Sequence, residues 1–454
     1  MKQDKDHGLR LKDGSKIGVI GAGPAGSFFT FFAFNLAEKL GISIEIDLYE
    51  IKEFTKTGPA GCNHCGGIVS ESLVQMLSED GIILPPQVVR RGIVSYTLHV
   101  EQGTAVIDTL LHEHPIASIF RGSGPLGSTQ TTLQSFDGYL IGLCEKKGAK
   151  IFRGKVTDVI SEPDGISLIT GNSSRKYDLV VGAVGLNPKA LRLFQKIIPA
   201  FTPPKTTNTY ICEYYLGSET ITKHFGNSMH VFLINLPGIK FAALIPKGVY
   251  VTLVLLGTEI NKGIVNLFLN SEIVLKCFPE GTVLKDMTPC QCFPSINIGH
   301  ATNPYSDRVV LIGDSASSKL YKNGIGAAYL TGKAAANTAF RFGISKADFK
   351  KSYQPVCSAL DRDNSVGKLI FSVSSIIQKS LFLKRILFQM VVNEQVKERR
   401  KREMSSLLWD TFTGSAPYRS IMRRTLHPLL LATFLWNIVT GLFKSTFSLN
   451  KISR

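Results

Sequence analysis

The chain has 454 residues, 44% of them hydrophobic: enough for two or three domains, and too apolar for an intrinsically disordered chain. Its eight cysteines are too sparse for a disulfide-dense scaffold. The net charge of +17 is concentrated late, with fourteen Lys and Arg against four Asp and Glu from Lys379 to Arg454, and no aromatic-interleaved basic motif accompanies it, so no nucleic-acid partner is expected.

The opening MKQDKDHGLRLKDGSK is charged and has no apolar signal core, so a reducing, cytoplasmic setting is the expectation. Lys16 to Ile20 reads as a buried parallel strand. It runs into Gly21-Ala22-Gly23-Pro24-Ala25-Gly26, and an apolar helix follows, ending at Gly41. Ile42 to Glu50 reads as a second strand whose last residue, Glu50, stands 24 residues after Gly26. This order is that of a dinucleotide-binding unit. Gly21 permits the tight turn, Gly23 lets a pyrophosphate near the backbone, and Gly26 lets the helix pack on the strand. The helix N-terminus offers N–H groups and a positive dipole end to phosphate, and Glu50 suits a ribose diol.

Next comes GPAGCNHCGGIVSES, from Gly58 to Ser72. Its Cys62-x-x-Cys65 spacing admits a redox dithiol, or half of a zinc or iron–sulfur site completed by Cys290-x-Cys292, or an ordinary buried thiol. His64 is either a proton donor or a solvent-facing turn residue. Phe136 to Val159 reads as helix then strand, and Tyr177 to Ala190 as an apolar strand that turns at Gly182 and Gly185. Val309 to Ile312 is a buried strand ending at Gly313-Asp314. Gly324-Ile325-Gly326 then opens a helix of small residues. A carboxylate at a strand end can hold a sugar-alcohol hydroxyl, and a helix N-terminus suits a ring that gains negative charge on reduction, so this segment suits a flavin. Asp314 also reads as a plain strand-end or capping residue. Tyr321 and Lys322, just before the glycines, are weaker proton-donor candidates. Cys144, Cys212, Cys277 and Cys357 lie in apolar or mixed runs and are expected in the core. There is no second GxGxxG unit. The tail holds KERRKRE (Lys397 to Glu403) and the apolar block Leu429 to Phe443, whose fifteen residues fall short of the roughly 20 that span a bilayer. It reads either as a helix on an anionic membrane surface or as one packed on the core with a solvated basic face.

GAGPAG (Gly21 to Gly26) with Glu50, Cys65-Gly66-Gly67, Arg121 followed by Phe136-Asp137, DLVVGAVG (Asp178 to Gly185), Gly313-Asp314 and Gly324-Ile325-Gly326 together resemble the flavoproteins of the p-hydroxybenzoate hydroxylase fold, and within them the geranylgeranyl reductase family. The resemblance covers roughly residues 16 to 345. It implies an α/β fold: a Rossmann-like FAD-binding domain over 16–190 and 296–345, an antiparallel-sheet substrate domain over 191–295, and a C-terminal helical tail over 346–454. It implies FAD held by Gly21, Gly23, Pro24, Ala25, Gly26, Glu50, Arg121, Gly185, Gly313 and Asp314, with Gly324, Ile325 and Gly326 approaching the isoalloxazine. Cys65, with Gly66 and Gly67, would pass the ring face, and Cys65 and His64 are the catalytic candidates. No metal is expected.

Two departures stand out. Val184-Gly185 replaces the usual Asp-Gly. FAALIPKG (Phe241 to Gly248) keeps Phe241 and Pro246 of an aromatic-x-Trp-x-Phe-Pro pattern but has Ala243 and Ile245 for the large rings. That lining is aliphatic and argues against a flavin halogenase. The resulting expectation is an FAD-dependent reductase of isoprenoid carbon–carbon double bonds on a membrane-derived substrate, at the cytoplasmic membrane face. The electron donor would be NAD(P)H, a ferredoxin or a quinol. The alternatives are a monooxygenase of an aromatic or quinone ring and an electron-transfer flavoprotein serving a membrane partner.

Overall fold

A computed structural model describes residues 9–63, 65–108, 116–128, 134–284, 287, 290–396 and 402–450. The chain divides into two compact units.

The first unit comprises Met1–Cys65, Phe120–Thr207 and Ser295–Arg362. Its six-stranded sheet runs Tyr305–Ser306, Val309–Leu311, Leu179–Gly182, Ser15–Ile20, Ile44–Tyr49, Lys150–Phe152. All pairings are parallel except that of Tyr305–Ser306. The first strand in sequence lies in the middle, with the next two of the sheet on one side and the three later ones on the other. That reversal of winding is where doubly wound sheets open a ligand crevice. Ile17, Val19, Leu179, Val180 and Val181 are fully buried, as strands covered on both faces require. Helix Pro24–Leu40 buries Phe28, Phe29, Phe31 and Phe32 and stops at Gly41, whose left-handed φ of 67° forms the C-cap. Helix Gly324–Arg341 crosses it closely: a Cβ on Gly332 would stand 3.0 Å from Ala25 O and 3.1 Å from Phe29 N.

The second unit comprises Gly66–Ile119, Asn208–Pro294 and Asp363–Arg454. Its seven-stranded sheet has the order Cys290–Cys292, Tyr210–Tyr215, Tyr250–Gly257, Ile239–Lys247, Ser228–Phe232, Ser95–Val100, Gly103–Asp108. Only the pairing of Ser228–Phe232 with Ser95–Val100 is parallel. Strand alternation puts Tyr210, Cys212, Tyr214, Ala242, Leu244, Leu253 and Leu255 on one face, in a core closed by the helical segments Ser218–His224 and Lys262–Leu269. Phe241, Ala243, Ile245 and Lys247 take the other face.

This division differs from the expected domains. Residues 66–119 were assigned to the nucleotide-binding domain, but Ser95–Val100 completes the antiparallel sheet by pairing with Ser228–Phe232. The tail does not form a unit of its own. The division falls within helix Gln354–Lys379, and helix Glu403–Thr413 packs Trp409 and Phe412 on Tyr96, with ring centroids 5.8 and 5.7 Å apart. The apolar block forms helix Pro428–Asn450, which leaves Leu429, Leu435, Trp436 and Val439 exposed. No single helix among the described residues is long and apolar enough to cross a membrane. Of the KERRKRE run, residues 397–401 lie outside the described residues.

Candidate functional site

The glycine loop forms as its spacing requires. Gly21 has φ 99°, and a Cβ there would lie 2.3 Å from Ala183 O. A Cβ on Gly26 would lie 1.9 Å from Gly21 O, so the helix can start this close to the strand only with glycine. Gly23 differs. The atoms nearest to its missing Cβ are Asn63 Nδ2 at 3.6 Å and Arg121 Nη2 at 3.7 Å, so the space above it is open and rimmed by donors. Gly23 is the N-cap of helix Pro24–Leu40 and Pro24 occupies the first turn, so the amides of Ala25 and Gly26 face that opening. Glu50 closes the other side: Oε2 accepts from Ala22 N and Oε1 from Lys52 N, both at 2.9 Å. Each oxygen keeps acceptor capacity for a ribose hydroxyl.

Arg121 is anchored rather than loose. Its Nε and Nη2 both bind the carboxylate of Asp137, the latter at 2.9 Å, and Asp137 is fully buried. Asn63 Nδ2 donates to the same carboxylate. Burial alone would lower the Arg121 pKa, but the charge and hydrogen bonds of Asp137, with a further contribution from Cys65, raise it, so the guanidinium is a fixed cation beside the glycine loop. Asn63 is the site residue that motif reading did not single out, and the Phe136-Asp137 motif was read without its partner. Their partners lie 74 and 16 residues away in the chain, and no short-range spacing announces such a contact.

Gly313 has φ 63°, and a Cβ there would lie 2.7 Å from Ala25 Cβ, so the strand end and the glycine loop meet. Burial raises the Asp314 carboxyl, opposed by a hydrogen bond from Ser318 and by the Arg121 charge. Its Oδ1 stands 4.0 Å from the missing Cβ of Gly324. Asn323, in the left-handed region at φ 55°, caps the following helix by accepting from Gly326 N at 3.0 Å. The cap engages Gly326 N, so Gly324 N and Ile325 N are the amides left at the mouth of that helix. Gly185, at φ 57°, turns the chain after strand Leu179–Gly182, with nothing within 4 Å of its missing Cβ. Burial raises the Tyr321 phenol.

Protein packs closely on both Gly66 and Gly67. A Cβ on Gly66 would meet Val254 Cγ2 at 3.1 Å and Ile245 Cδ1 at 3.7 Å. Gly67 has φ 69°, and its Cβ would stand 2.1 Å from Ile119 O. Ile119 N also donates to Gly67 O at 2.8 Å. Cys65 lies against Arg121, and Cys62 N donates to Gly58 O at 2.8 Å. All eight cysteines are free, and Cys144, Cys212, Cys277 and Cys357 are buried as expected. Among the described residues the CxxC and CxC pairs join no group of three metal-ligating side chains. His64 lies outside the described residues.

On the same sheet face as Ile245 and Val254 there is a buried polar trio. Lys247 Nζ pairs with Glu213 Oε1 at 3.1 Å, and Thr252 Oγ1 donates to Glu213 Oε2 at 2.6 Å. Lys247 Nζ is 3.0 Å from the missing Cβ of Gly67.

No family model matches this chain, and no curated protein matches it in sequence. Solved structures do match in fold. One, described as geranylgeranyl bacteriochlorophyll reductase-like, from Thermoplasma acidophilum, covers 91% of this chain and 99% of its own at 15% identity, with a TM-score of 0.64. The p-nitrophenol 4-monooxygenase PnpA from Pseudomonas putida DLL-E4 covers 89% and 99% at 12% identity and TM-score 0.58. The halogenase PltM, in complex with phloroglucinol and FAD, covers 96% and 92% at 11% identity and TM-score 0.58. At these identities the likeness is one of fold, and the chain shares the fold of these solved structures. An FAD fits the residues present: the open cradle over Gly23 with Arg121 and Asn63 at its rim suits the pyrophosphate, Glu50 a ribose, Asp314 the ribityl chain, and Gly324 N with Ile325 N the pyrimidine edge.

Proposed function

We propose that this protein is an FAD-dependent oxidoreductase that reduces carbon–carbon double bonds of an isoprenoid, membrane-derived lipid. When bound and reduced, FAD supplies a hydride. The chain's own part is to hold the dinucleotide through Glu50, Arg121, Asp314 and the two helix N-termini, and to offer the substrate a dry aliphatic wall. The carrying observation is that wall. Phe241, Ala243, Ile245 and Val254 share one sheet face, and Ala243 and Ile245 stand where the aromatic-x-Trp-x-Phe-Pro pattern has its large rings. The polar groups there, Glu213, Lys247 and Thr252, already bind one another, so an apolar chain meets no unsatisfied partner.

The exposed apolar residues of helix Pro428–Asn450, beside Arg419, Arg423 and Arg424, support contact with an anionic membrane surface from which such a lipid would come. One dinucleotide unit leaves the electron donor to dock without a nucleotide domain of its own, as NAD(P)H, a ferredoxin or a quinol would. The test is anaerobic turnover of the purified, chemically reduced protein with a geranylgeranyl lipid, read by mass spectrometry. Hydrogenated product without oxygen is the expected result. Product that forms only with oxygen favours a monooxygenase, and flavin cycling without lipid product favours electron transfer. Protein that binds no flavin refutes all three.

A further inference from the structure

The second unit buries two histidines and a cysteine together, on the sheet face opposite Ala243 and Ile245. His99 and Phe232 are paired across the parallel strands, and His230 lies two residues before Phe232. His99 Nε2 and His230 Nδ1 are 3.0 Å apart, and Cys277 Sγ is 3.7 Å from His99 Nε2. All three ligand atoms lie within 4.8 Å of one another. Each residue is at most 6% exposed, among Phe225, Phe232, Phe268 and Phe278. The His99 ring stacks on Phe232 at 4.7 Å, and His230 lies 4.8 Å from Phe225.

We propose that His99 Nε2, His230 Nδ1 and Cys277 Sγ form a three-coordinate site for a monovalent copper ion. Three observations converge on that ion. The first is spacing. Bonds of about 2.0 Å to nitrogen and about 2.3 Å to sulfur, arranged trigonally, put the nitrogens about 3.5 Å apart and nitrogen and sulfur about 3.7 Å apart; the His99–Cys277 pair stands at 3.7 Å already, the two nitrogens at 3.0 Å open by about 0.5 Å, and the third pair lies within 4.8 Å. The second is ligand number. Structural zinc takes four ligands, and among the described residues the cluster offers three, in an apolar surround. The third is charge. One thiolate and one monovalent cation sum to zero, which an apolar core tolerates, whereas a divalent ion would leave an uncompensated charge there. Thiolate and imidazole are both copper ligands. The other ring nitrogen of His99 is 3.1 Å from Thr104 Oγ1, a contact that orients the ring with Nε2 toward the ion. On binding, the Cys277 thiol loses its proton to solvent and the His230 proton moves to Nε2; no electron is transferred.

The test uses the full-length protein under anaerobic, reducing conditions, titrated with Cu(I) against a chromophoric Cu(I) chelator. One equivalent is expected to be retained, with an X-ray absorption spectrum showing two imidazole nitrogens and one sulfur. Cys277→Ala and His230→Gln are expected to lower affinity at least a hundredfold, and Thr104→Val about tenfold, while a Cys290→Ala/Cys292→Ala variant keeps it. Circular dichroism and flavin content report whether each variant folds, and the spectrum of the unmodified protein stands if one does not. No retained copper, copper retained in Cys277→Ala, a spectrum with two or more sulfurs, or zinc held in preference to copper would each overturn the proposal.

Discussion

At the residue scale, the glycines carry different duties although they look alike in sequence. Gly26 and Gly67 are enforced by backbone oxygens at 1.9 and 2.1 Å, while Gly23 stands before open space. Gly67→Ala is therefore expected to lose about 1–3 kcal/mol from its left-handed backbone alone, and more from the clash with Ile119 O, read as a fall in the denaturant midpoint. Lys247 and Glu213 have a sharper dependence on each other. Removing one partner, as in Lys247→Met, leaves a buried carboxylate uncompensated and should cost about 3–5 kcal/mol. The double variant Lys247→Met/Glu213→Gln should recover much of that loss; if it is no more stable than the single variant, the pair does not act as a unit. The glycine loop and Glu50 were legible because their spacing is local. Asn63, the pairing of Arg121 with Asp137, and the Glu213–Lys247–Thr252 trio were not, because folding alone brings their members together.

At the element scale, helix Gly324–Arg341 depends on its cap. Asn323 supplies both a side-chain acceptor for Gly326 N and a left-handed backbone at φ 55°. Alanine can supply neither, so Asn323→Ala should lose about 2 kcal/mol, a sum of cap loss and left-handed strain. Asn323→Gly keeps the backbone and should lose only a few tenths. Equal losses would remove the backbone from the account. The strands and helices of the nucleotide-binding sheet follow the sequence pattern closely: the expected Lys16 to Ile20 strand is Ser15–Ile20, and the expected second strand is Ile44–Tyr49. The CGG turn was legible only in part, because a glycine pair records that something comes close, not what. Here the neighbours are Val254, Ile245 and Ile119.

At the scale of the molecule, the tail is partly core and partly surface. Truncation before Lys379 would remove Trp409 and Phe412 from Tyr96, so loss of membrane binding in such a fragment would say little. The informative variant is Leu435→Ser/Trp436→Ser/Val439→Ser, at positions 59, 68 and 44% exposed. Flotation of the full-length protein with phosphatidylserine vesicles should fall at least fivefold in this variant and weaken with added salt. Unchanged flotation would count against the membrane surface. The domain boundaries were the least legible feature, since a strand's partner is chosen by burial and not by proximity in sequence: Ser95 waits for its register partner Ser228, 133 residues on (228 − 95).

The same interleaving has a consequence for how the protein is made. The chain passes between its two units at residues 65, 119, 207, 294 and 362. Neither unit is a contiguous segment that a ribosome could release complete. The nucleotide-binding sheet lacks Val309–Leu311, the neighbour of Leu179–Gly182, until more than three hundred residues have emerged. At about 5–20 residues per second, Leu179–Gly182 waits roughly 6–26 s for that partner. During that interval apolar strand edges stand open, and slow synthesis or a missing chaperone should lower the yield of this chain more than that of one whose domains follow in sequence.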